Sequence, residues 1–219
     1  VRGHHRLQAA GEPAVGRRVF GQDGLEAAFV HGDGEVRIGL RRSWVSVRRD
    51  SGVLPEEAEG VDGETFDLAG VSLLASVDRL DSATLPKRGF LLVLSGLQSL
   101  EDLGAESEYT KLELRTSRFW TRGRHTLFGN LNGGFSPGGE LPVHDQFVLG
   151  GIFSLATFEP GELRGDNYGL VRAGYYYRLT RVLHAGGFLE AARVAPVPDE
   201  LLDNPILTAT ALLAADTAL

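Results

Sequence analysis

The sequence predicts an all-β protein whose strands follow one another as an antiparallel meander. Apolar and polar residues alternate over most of the chain, as in residues 36–41 (VRIGLR) and 111–115 (KLELR). Such alternation gives a strand one apolar and one polar face, whereas the spacing typical of amphipathic helices is nearly absent. Turn-forming residues separate the alternating segments, so consecutive strands can pair as hairpins.

The strands can be placed in order from these alternating segments and their turns. The sequence Gly32-Asp33-Gly34 is a tight hairpin turn, because Asp-Gly tolerates positive φ. Many segments are ten residues or longer, against a usual strand length of about 5–6. A short additional piece is possible at 16–21. The predicted strands are 4–10, 24–31, 35–47, 65–78, 89–98, 106–119, 124–135, 146–156, 167–179, 182–193 and 207–217.

Composition narrows the class of protein. The chain has 219 residues, a formal net charge of −7, 29 Gly, and neither Cys nor Met. Without Cys there is no disulfide framework, thiolate metal site or Cys nucleophile, and the acidic balance argues against general nucleic-acid binding. No run approaches the roughly 18 apolar residues of a spanning helix. The abrupt start at Val1, with no signal peptide, suggests a piece of a longer protein.

Two all-β architectures fit long alternating strands: a membrane barrel and a soluble sandwich or barrel. Strand lengths near the 9–11 residues or so that cross a bilayer favour the membrane barrel. Aromatic residues near strand ends also favour it, because they are typical of the girdles at membrane interfaces. These residues are Trp44, Phe66, Phe90, Tyr109, Phe119, Trp120, Phe135, Phe147, Phe158, Tyr168 and Phe188.

Several motifs resemble one superfamily. Residues 77–81 (VDRLD) and 85–89 (LPKRG) resemble the "D(R/N)…FPxRG" element of the bacterial surface-antigen superfamily of BamA-like outer-membrane barrels. Residues 146–151 (QFVLGG) resemble its "F.LGG" strand, and 158–165 (FEPGELRG) and 175–179 (YYYRL) follow in the same order. This second half is most similar to the C-terminal barrel of patatin-like phospholipase autotransporters, the PlpD-like type V-d secretion proteins.

The resemblance singles out a candidate lid-loop and strand motif. Where the superfamily's lid loop has an Arg/Ser-Gly-aromatic tip, this chain has Ala156-Thr157-Phe158, so the aromatic residue is kept while Arg and Gly are not. By the same analogy, 157–166 is extracellular and 136–145 periplasmic, on either side of the strand 146–156. The candidate motif residues are Phe147, Leu149, Gly150, Gly151, Phe158, Arg164 and Gly165.

The resemblance also implies an architecture and a role. The family barrel has sixteen strands with both ends in the periplasm, of which this chain supplies about eleven. Residues 1–219 are then an outer-membrane β-barrel domain, a fragment lacking the first strands and the last two. The implied role is anchor and translocator of an N-terminal patatin-like passenger in the bacterial outer membrane. Implied partners are outer-membrane lipid, the chain's own passenger and the outer-membrane assembly machinery, with no nucleic acid.

One candidate catalytic motif occurs. Residues 134–138 (GFSPG) match G-x-S-x-G, the nucleophile elbow of hydrolases, in which the residue after Ser supplies an oxyanion-hole N–H. Pro137 has no N–H, and no helix can follow because Pro142 comes soon after. Ser136 is therefore predicted to end a strand. The family's catalytic Asp-Gly-Gly/Ala motif is also absent from the chain, so we expect no catalytic residue in it.

No cofactor or metal site is predicted. The six His residues form no recognisable ligand set. The acidic stretch 56–64 could offer oxygen ligands to Ca²⁺, yet it lacks the EF-hand spacing and is predicted to be a solvated loop. No phosphate loop or dinucleotide fingerprint occurs.

Three alternatives to the patatin autotransporter remain open from the sequence. The first is a BamA-like or two-partner assembly or secretion barrel without an enzyme passenger. The second is a soluble all-β binding domain. The third is an outer-membrane enzyme whose active site lies on the barrel itself, for which Ser136 would be the candidate nucleophile.

Overall fold

The computed structural model describes residues 15–49, 65–138, 140–151, 155, 158–159 and 161–215. These residues form long strands with two short 3-10 turns, Glu101–Leu103 and Pro198–Leu202. The strands are β1 (Val15–His31), β2 (Gly34–Arg49), β3 (Thr65–Asp78), β4 (Gly89–Ser99), β5 (Tyr109–Arg122), β6 (His125–Phe135), β7 (Phe147–Leu149), β8 (Leu163–Gly165), β9 (Asn167–Arg178), β10 (Leu183–Ala195) and β11 (Ile206–Ala215).

Nine of these strands form one antiparallel sheet in the order β1-β2-β3-β4-β5-β6-β9-β10-β11. Each strand pairs with its neighbour in the chain, except that β6 pairs directly with β9. The strands β7 and β8 pair only with each other, in a separate hairpin. The all-β antiparallel meander is thus confirmed. Within the described residues the sheet is not closed, and β1 and β11 are its two edges.

The register of the sheet separates two faces. Leu94 on β4 lies opposite Leu114 on β5, which lies opposite Gly133 on β6, and all three point to one side. We call this side the outer face. Lys111 and Glu113 on β5 point to the other side, the inner face. The predicted separation of apolar and charged faces is therefore correct. Exposed outer-face side chains include Leu25, Phe29, Ile38, Leu40, Leu73, Leu92, Leu94, Leu127, Leu131, Val171, Leu189, Leu207 and Leu213.

The main buried cluster lies on the inner face, beneath the β7–β8 hairpin. Strand residues and hairpin residues contribute to it together, so the hairpin covers part of the inner face as a second layer. The described part of the chain has no helix long and apolar enough to span a membrane. The cluster consists of Val45, Leu68, Tyr109, Leu141, Phe147, Leu149, Leu155, Tyr168, Leu170 and Ala192.

The predicted strand 146–156 is wrong. Among its described residues, only Phe147–Leu149 is a strand, and it pairs with Leu163–Gly165 rather than with the sheet. Phe147, Leu149 and Leu155 pack into the inner-face cluster, and Gly150 and Gly151, with φ of +126° and +91°, turn the chain back toward β8. Of the eleven predicted strands, nine belong to the sheet of the described residues, and 146–156 does not. The pieces predicted at 16–21 and 24–31 are parts of β1, and 4–10 lies outside the described residues.

The aromatic residues near strand ends do not form one girdle. Phe90, Trp120 and Phe135 lie on the outer face, as predicted, but most of the others point inward because they occupy the alternate strand positions. Tyr109, Phe147 and Tyr168 are more than nine-tenths buried. These inward-pointing rings build the core under the hairpin rather than a membrane interface.

The two ends of the sheet differ in their connections. At one end, which we call the short-turn end, β1–β2, β5–β6 and β9–β10 are joined by turns of a few residues. The opposite, long-loop end carries the connections 50–64, 100–108, 136–166 and 196–205. Because β6 pairs with β9, residues 136–145 and 157–166 both belong to the long-loop end. The expectation that they lie on opposite sides of the membrane is wrong.

Candidate functional site

The candidate site is the inner hairpin, which comprises β7, β8 and the described residues between them. Phe147 lies opposite Gly165, and Leu149 opposite Leu163. The Gly151 N–H donates a 2.8 Å hydrogen bond to the Phe158 carbonyl, which brings the two arms together beyond the strands. A Cβ atom at Gly150 would collide with the Glu159 carbonyl, so the close turn needs glycine at this position.

Asp145, just before β7, fixes the hairpin to β5. Its side chain is only 4% exposed and accepts a hydrogen bond from the Tyr109 hydroxyl. The Lys111 ammonium donates to the Asp145 carbonyl and lies 3.6 Å from its carboxylate. The same Lys111 Nζ lies 4.6 Å from the centre of the Phe147 ring, a cation–π contact. One lysine on the inner face therefore binds both the carboxylate and the first aromatic residue of the hairpin.

The Phe147 ring fits against the sheet because β6 has a glycine beneath it. The rings of Phe147 and Tyr168 pack with centroids 5.1 Å apart. A Cβ atom at Gly134 would clash with both rings. The Tyr168 hydroxyl donates a 2.8 Å hydrogen bond to Glu113 on β5, crossing above Gly134. The missing side chain at Gly134 thus creates the space that the hairpin occupies.

Further hydrogen bonds hold the flanking segments. The Asp166 carboxylate accepts from the Leu141 N–H at 3.0 Å, and the Asn167 side-chain oxygen accepts from the Ser136 N–H at 3.3 Å. The Asn167 side-chain NH₂ group donates to the Pro196 carbonyl at 2.8 Å. His144 stacks on Phe66 with centroids 4.6 Å apart. The connection 136–166 is therefore tied to β3, β5 and the 196–205 loop.

The structure brings the predicted motif residues together. Phe147, Leu149, Gly150, Gly151, Arg164 and Gly165 all lie in the inner hairpin, and Phe158 packs against the core below it. Burial lowers the pKa of the half-buried Arg164 guanidinium, which nevertheless stays charged at neutral pH. The departure from the superfamily's tip, at Ala156 and Thr157, lies outside the described residues.

Sequence reasoning missed the residues that receive the hairpin. The alternation at 111–115 predicts only that Lys111 and Glu113 share a polar face, and the position of Tyr109 near a strand end predicts a girdle residue. Their partners Asp145 and Tyr168 are 34 to 55 residues away in the chain, so no local spacing relates them. The sequence does contain one signal for this site. Lys111 and Glu113 are two charges on the same face of β5 as the aromatic Tyr109.

The motif at 77–89 closes part of the short-turn end. The Asp81 carboxylate accepts hydrogen bonds from the backbone N–H groups of Lys87 and Arg88, at 2.7 and 3.0 Å. The Pro86 carbonyl accepts from the Tyr176 hydroxyl, and the Lys87 carbonyl accepts from the Thr121 hydroxyl at 2.6 Å. This long connection therefore folds back toward the inner face instead of extending away from the sheet.

A buried ion pair lies on the inner face at the other side of β6. Arg172 on β9 and Glu190 on β10 are cross-strand partners, and two guanidinium nitrogens donate to one carboxylate oxygen at 2.6 and 2.9 Å. The second oxygen of Glu190 accepts from the Thr208 hydroxyl on β11 at 3.1 Å. The guanidinium also lies 4.5 Å from the centre of the Phe188 ring. This cluster links three consecutive strands.

The described residues offer no arrangement for covalent chemistry at Ser136. It directly follows β6, its hydroxyl is buried without a hydrogen-bond partner, and no helix begins after it. The prediction of a strand end is confirmed. No group of three or more His, Asp or Glu side chains in the described ranges could hold a metal ion. The acidic stretch 56–64 lies outside those ranges.

The chain matches a protein-family model over most of its length. The model of the Omp85 superfamily domain matches residues 22–189, which include β2–β9 and most of β1 and β10. None of the curated proteins matches the chain. The match agrees with the resemblance to BamA-like barrels and rules out the soluble binding domain as an alternative. The chain belongs to the Omp85 superfamily, a non-catalytic family of outer-membrane β-barrels that assemble or secrete proteins.

Proposed function

We propose that this chain is the anchor and translocator barrel of a patatin-like phospholipase autotransporter. The proposal deepens the role of its family, which is assembly or secretion through an outer-membrane barrel. Its main support is the order of the motifs: QFVLGG at 146–151, FEPGELRG at 158–165 and YYYRL at 175–179. The first two build the inner hairpin, and the third continues β9, the strand to which the hairpin leads.

In this proposal the inner hairpin, with its motif residues Phe147, Leu149, Gly150, Gly151, Phe158, Arg164 and Gly165, narrows the passage along the inner face. The hairpin is held by Lys111 and Tyr109 through Asp145, all on the polar side of the sheet. A polar inner face can be wetted or can contact an exported chain, whereas the outer face meets lipid. The partners are then outer-membrane lipid, the chain's own N-terminal passenger and the assembly machinery that inserts the barrel.

The orientation follows from the connections. Outer-membrane barrels have short periplasmic turns and longer extracellular loops. The long-loop end, with the connection 136–166, is therefore proposed to be extracellular, and the short-turn end periplasmic. The edges β1 and β11 must also be paired in the membrane, since backbone N–H and C=O groups cannot face hydrocarbon unsatisfied. We propose that further strands close the barrel.

The passenger can be tested on the full-length protein. A serine-directed fluorophosphonate probe should label the full-length protein. The Ser136→Ala variant should be labelled to the same extent, because the nucleophile lies in the passenger. The upstream coding sequence should contain G-x-S-x-G followed by Asp-Gly-Gly/Ala. A full-length protein without these motifs and without labelling would be the barrel of an assembly or two-partner system instead. Labelling that is lost in Ser136→Ala would place the active site on the barrel.

A further inference from the structure

Arg118 lies at the short-turn end of the outer face, between two aromatic rings. Its guanidinium carbon is 5.6 Å from the centre of the Phe90 ring on β4 and 5.3 Å from that of Trp120 on β5. Phe90 is the direct cross-strand partner of Arg118, and Trp120 is two residues further along the same face. The side chain of Arg118 is exposed, and the described residues give it no carboxylate partner.

A second guanidinium joins the cluster. Arg79, just after β3, lies 5.7 Å from the Phe90 ring, so two arginines share one aromatic surface. Arg79 also forms a 3.0 Å ion pair with Asp33, which neutralises part of its charge. The cluster of Arg79, Phe90, Arg118 and Trp120 thus retains one unneutralised guanidinium.

The short-turn end as a whole is basic, whereas the long-loop end is acidic. The basic residues in or beside the turns around the cluster are Lys87, Arg88, Arg122, Arg124, Arg178 and Arg181, and they outnumber the acidic Asp33, Glu35, Asp78 and Asp81. In the described connections of the long-loop end Arg164 is the one Lys or Arg residue. The acidic residues there are Glu101, Asp102, Glu106, Glu108, Glu140, Asp145, Glu159, Glu162, Asp166, Glu200 and Asp203. An anion is therefore attracted to one end of the sheet and repelled from the other.

We propose that Arg79 and Arg118 bind the phosphate of a glycerophospholipid headgroup in the periplasmic leaflet. The outer face of this family meets lipid, and aromatic residues at such a position lie at headgroup level. A guanidinium there must satisfy its N–H donors, and a phosphate accepts two of them in a planar, bidentate arrangement. Phe90, which is level with Arg118, would contact the acyl chains, whereas Trp120, two residues closer to the turn, would lie beside the headgroup.

The unneutralised guanidinium of the cluster indicates an anionic lipid as the ligand. The choice of the periplasmic leaflet rests on the proposed orientation of the barrel. No described carboxylate neutralises the Arg118 guanidinium, and an anionic phospholipid such as phosphatidylglycerol can do so. In phosphatidylcholine the positive choline group cancels the negative charge of the phosphate. The binding itself needs only the lipid contact of the outer face, not a particular passenger. A failure of the passenger proposal therefore leaves this site unchanged.

Trp120 provides a reporter inside the site. Trp44 and Trp120 are the two tryptophans of the chain. In the full-length protein all other tryptophans are replaced by phenylalanine. Brominated lipids then quench the fluorescence of Trp120 in proportion to the time that they occupy the position next to its ring. The protein is reconstituted in phosphatidylcholine vesicles with increasing brominated phosphatidylglycerol. Preference for phosphatidylglycerol should fall by about fivefold for each guanidinium removed, in Arg118→Gln and in Arg79→Gln/Arg118→Gln.

The matched control is Arg115→Gln, on the same strand but on the inner face, which should keep the wild-type preference. Folding of each variant is checked by its heat-modifiable migration on a gel. The site is overturned if the double variant keeps the wild-type preference, or if millimolar inorganic phosphate abolishes that preference. If added lipopolysaccharide displaces the brominated lipid as well as unlabelled phosphatidylglycerol does, the assignment to a glycerophospholipid is overturned.

Discussion

The Tyr168 hydroxyl donates a 2.8 Å hydrogen bond to Glu113, although β6 lies between their two strands. The bond spans the sheet because Gly134 leaves the inner face of β6 flat at this point. Phe147 of the inner hairpin packs on the same flat area. A glycine on one strand therefore decides how two neighbouring strands and a loop come together.

Gly134→Val should displace the inner hairpin. The added side chain would enter the space of the Phe147 and Tyr168 rings, and overpacking of this kind costs about 1–3 kcal/mol. We expect faster trypsin cleavage after Arg164 in the folded, detergent-solubilised protein. Gly169→Val is the matched control, because a Cβ atom at Gly169 has no neighbour within 4 Å. Equal cleavage of both variants would contradict the packing role of Gly134.

Asp145→Ala should release the same hairpin without changing its packing surface. Tyr109 would lose its acceptor and Lys111 its carboxylate partner, although the backbone carbonyl of residue 145 stays. Loss of one partner of a buried hydrogen-bonded charge is expensive. If the hairpin narrows the passage, single-channel conductance of the full-length protein in planar bilayers should rise. Asp102→Ala, at an exposed position of the same end, should conduct like the wild type. An unchanged conductance for Asp145→Ala would show that the hairpin does not restrict the passage.

Glu190→Ala should destabilise the β9–β11 region more than most single substitutions. It leaves the Arg172 guanidinium, 12% exposed, without its carboxylate, and breaking such a buried pair costs about 3–5 kcal/mol. Replacing both partners, as Arg172→Leu/Glu190→Leu, should cost less because no buried charge is left unpaired. Urea unfolding in detergent micelles measures both variants. A double variant less stable than Glu190→Ala would refute this account.

Leu114→Arg should impair insertion into the membrane. Leu114 lies on the outer face between Leu94 and Gly133, and an arginine near the bilayer midplane costs about 2–4 kcal/mol. Lys111→Ala, three residues away on the inner face, should insert normally even though it weakens the contact with the hairpin. The measurement is the folded fraction in lipid vesicles, from heat-modifiable migration. Equal losses in the two variants would invalidate the assignment of faces.

The orientation can be measured with single cysteines, because the chain itself contains none. Glu200→Cys, in a long-loop connection, should react with a membrane-impermeant maleimide in intact cells. Asp33→Cys, in the β1–β2 turn, should react only after the outer membrane is permeabilised. Both side chains are exposed, so accessibility reports the side of the membrane. The reverse labelling pattern would invert the orientation and remove the periplasmic leaflet from the lipid proposal.

Most of the sheet could be predicted from the sequence, because alternation and turns are local properties. The strands at 65–78, 89–98 and 124–135 differ from the structure by one residue or less at each end. The faces of β2 and β5 could also be predicted from the alternation at 36–41 and 111–115, since a strand with one apolar and one charged side has few other ways to lie at a membrane.

The inner hairpin could not be predicted in this way. Residues 146–156 are apolar enough to be a strand of the sheet, and only the pairing of β6 with β9 shows that they are not. The contacts of Lys111 with Asp145 and of Tyr168 with Glu113 depend on that pairing. The motif residues were found by resemblance, whereas the side chains that receive them required the three-dimensional arrangement.

The direct pairing of β6 with β9 has a consequence for how the protein folds. The sheet consists of two blocks, β1–β6 and β9–β11, whose internal pairs all join consecutive strands, while their junction must first close the long connection 136–166. Each doubling of a flexible loop adds about 0.6 kcal/mol to its closure entropy. Docking of the hairpin shortens the free loop and so lowers that cost. We therefore expect the two blocks to form first and the β6–β9 junction to be the last step, and the first to open under mechanical load.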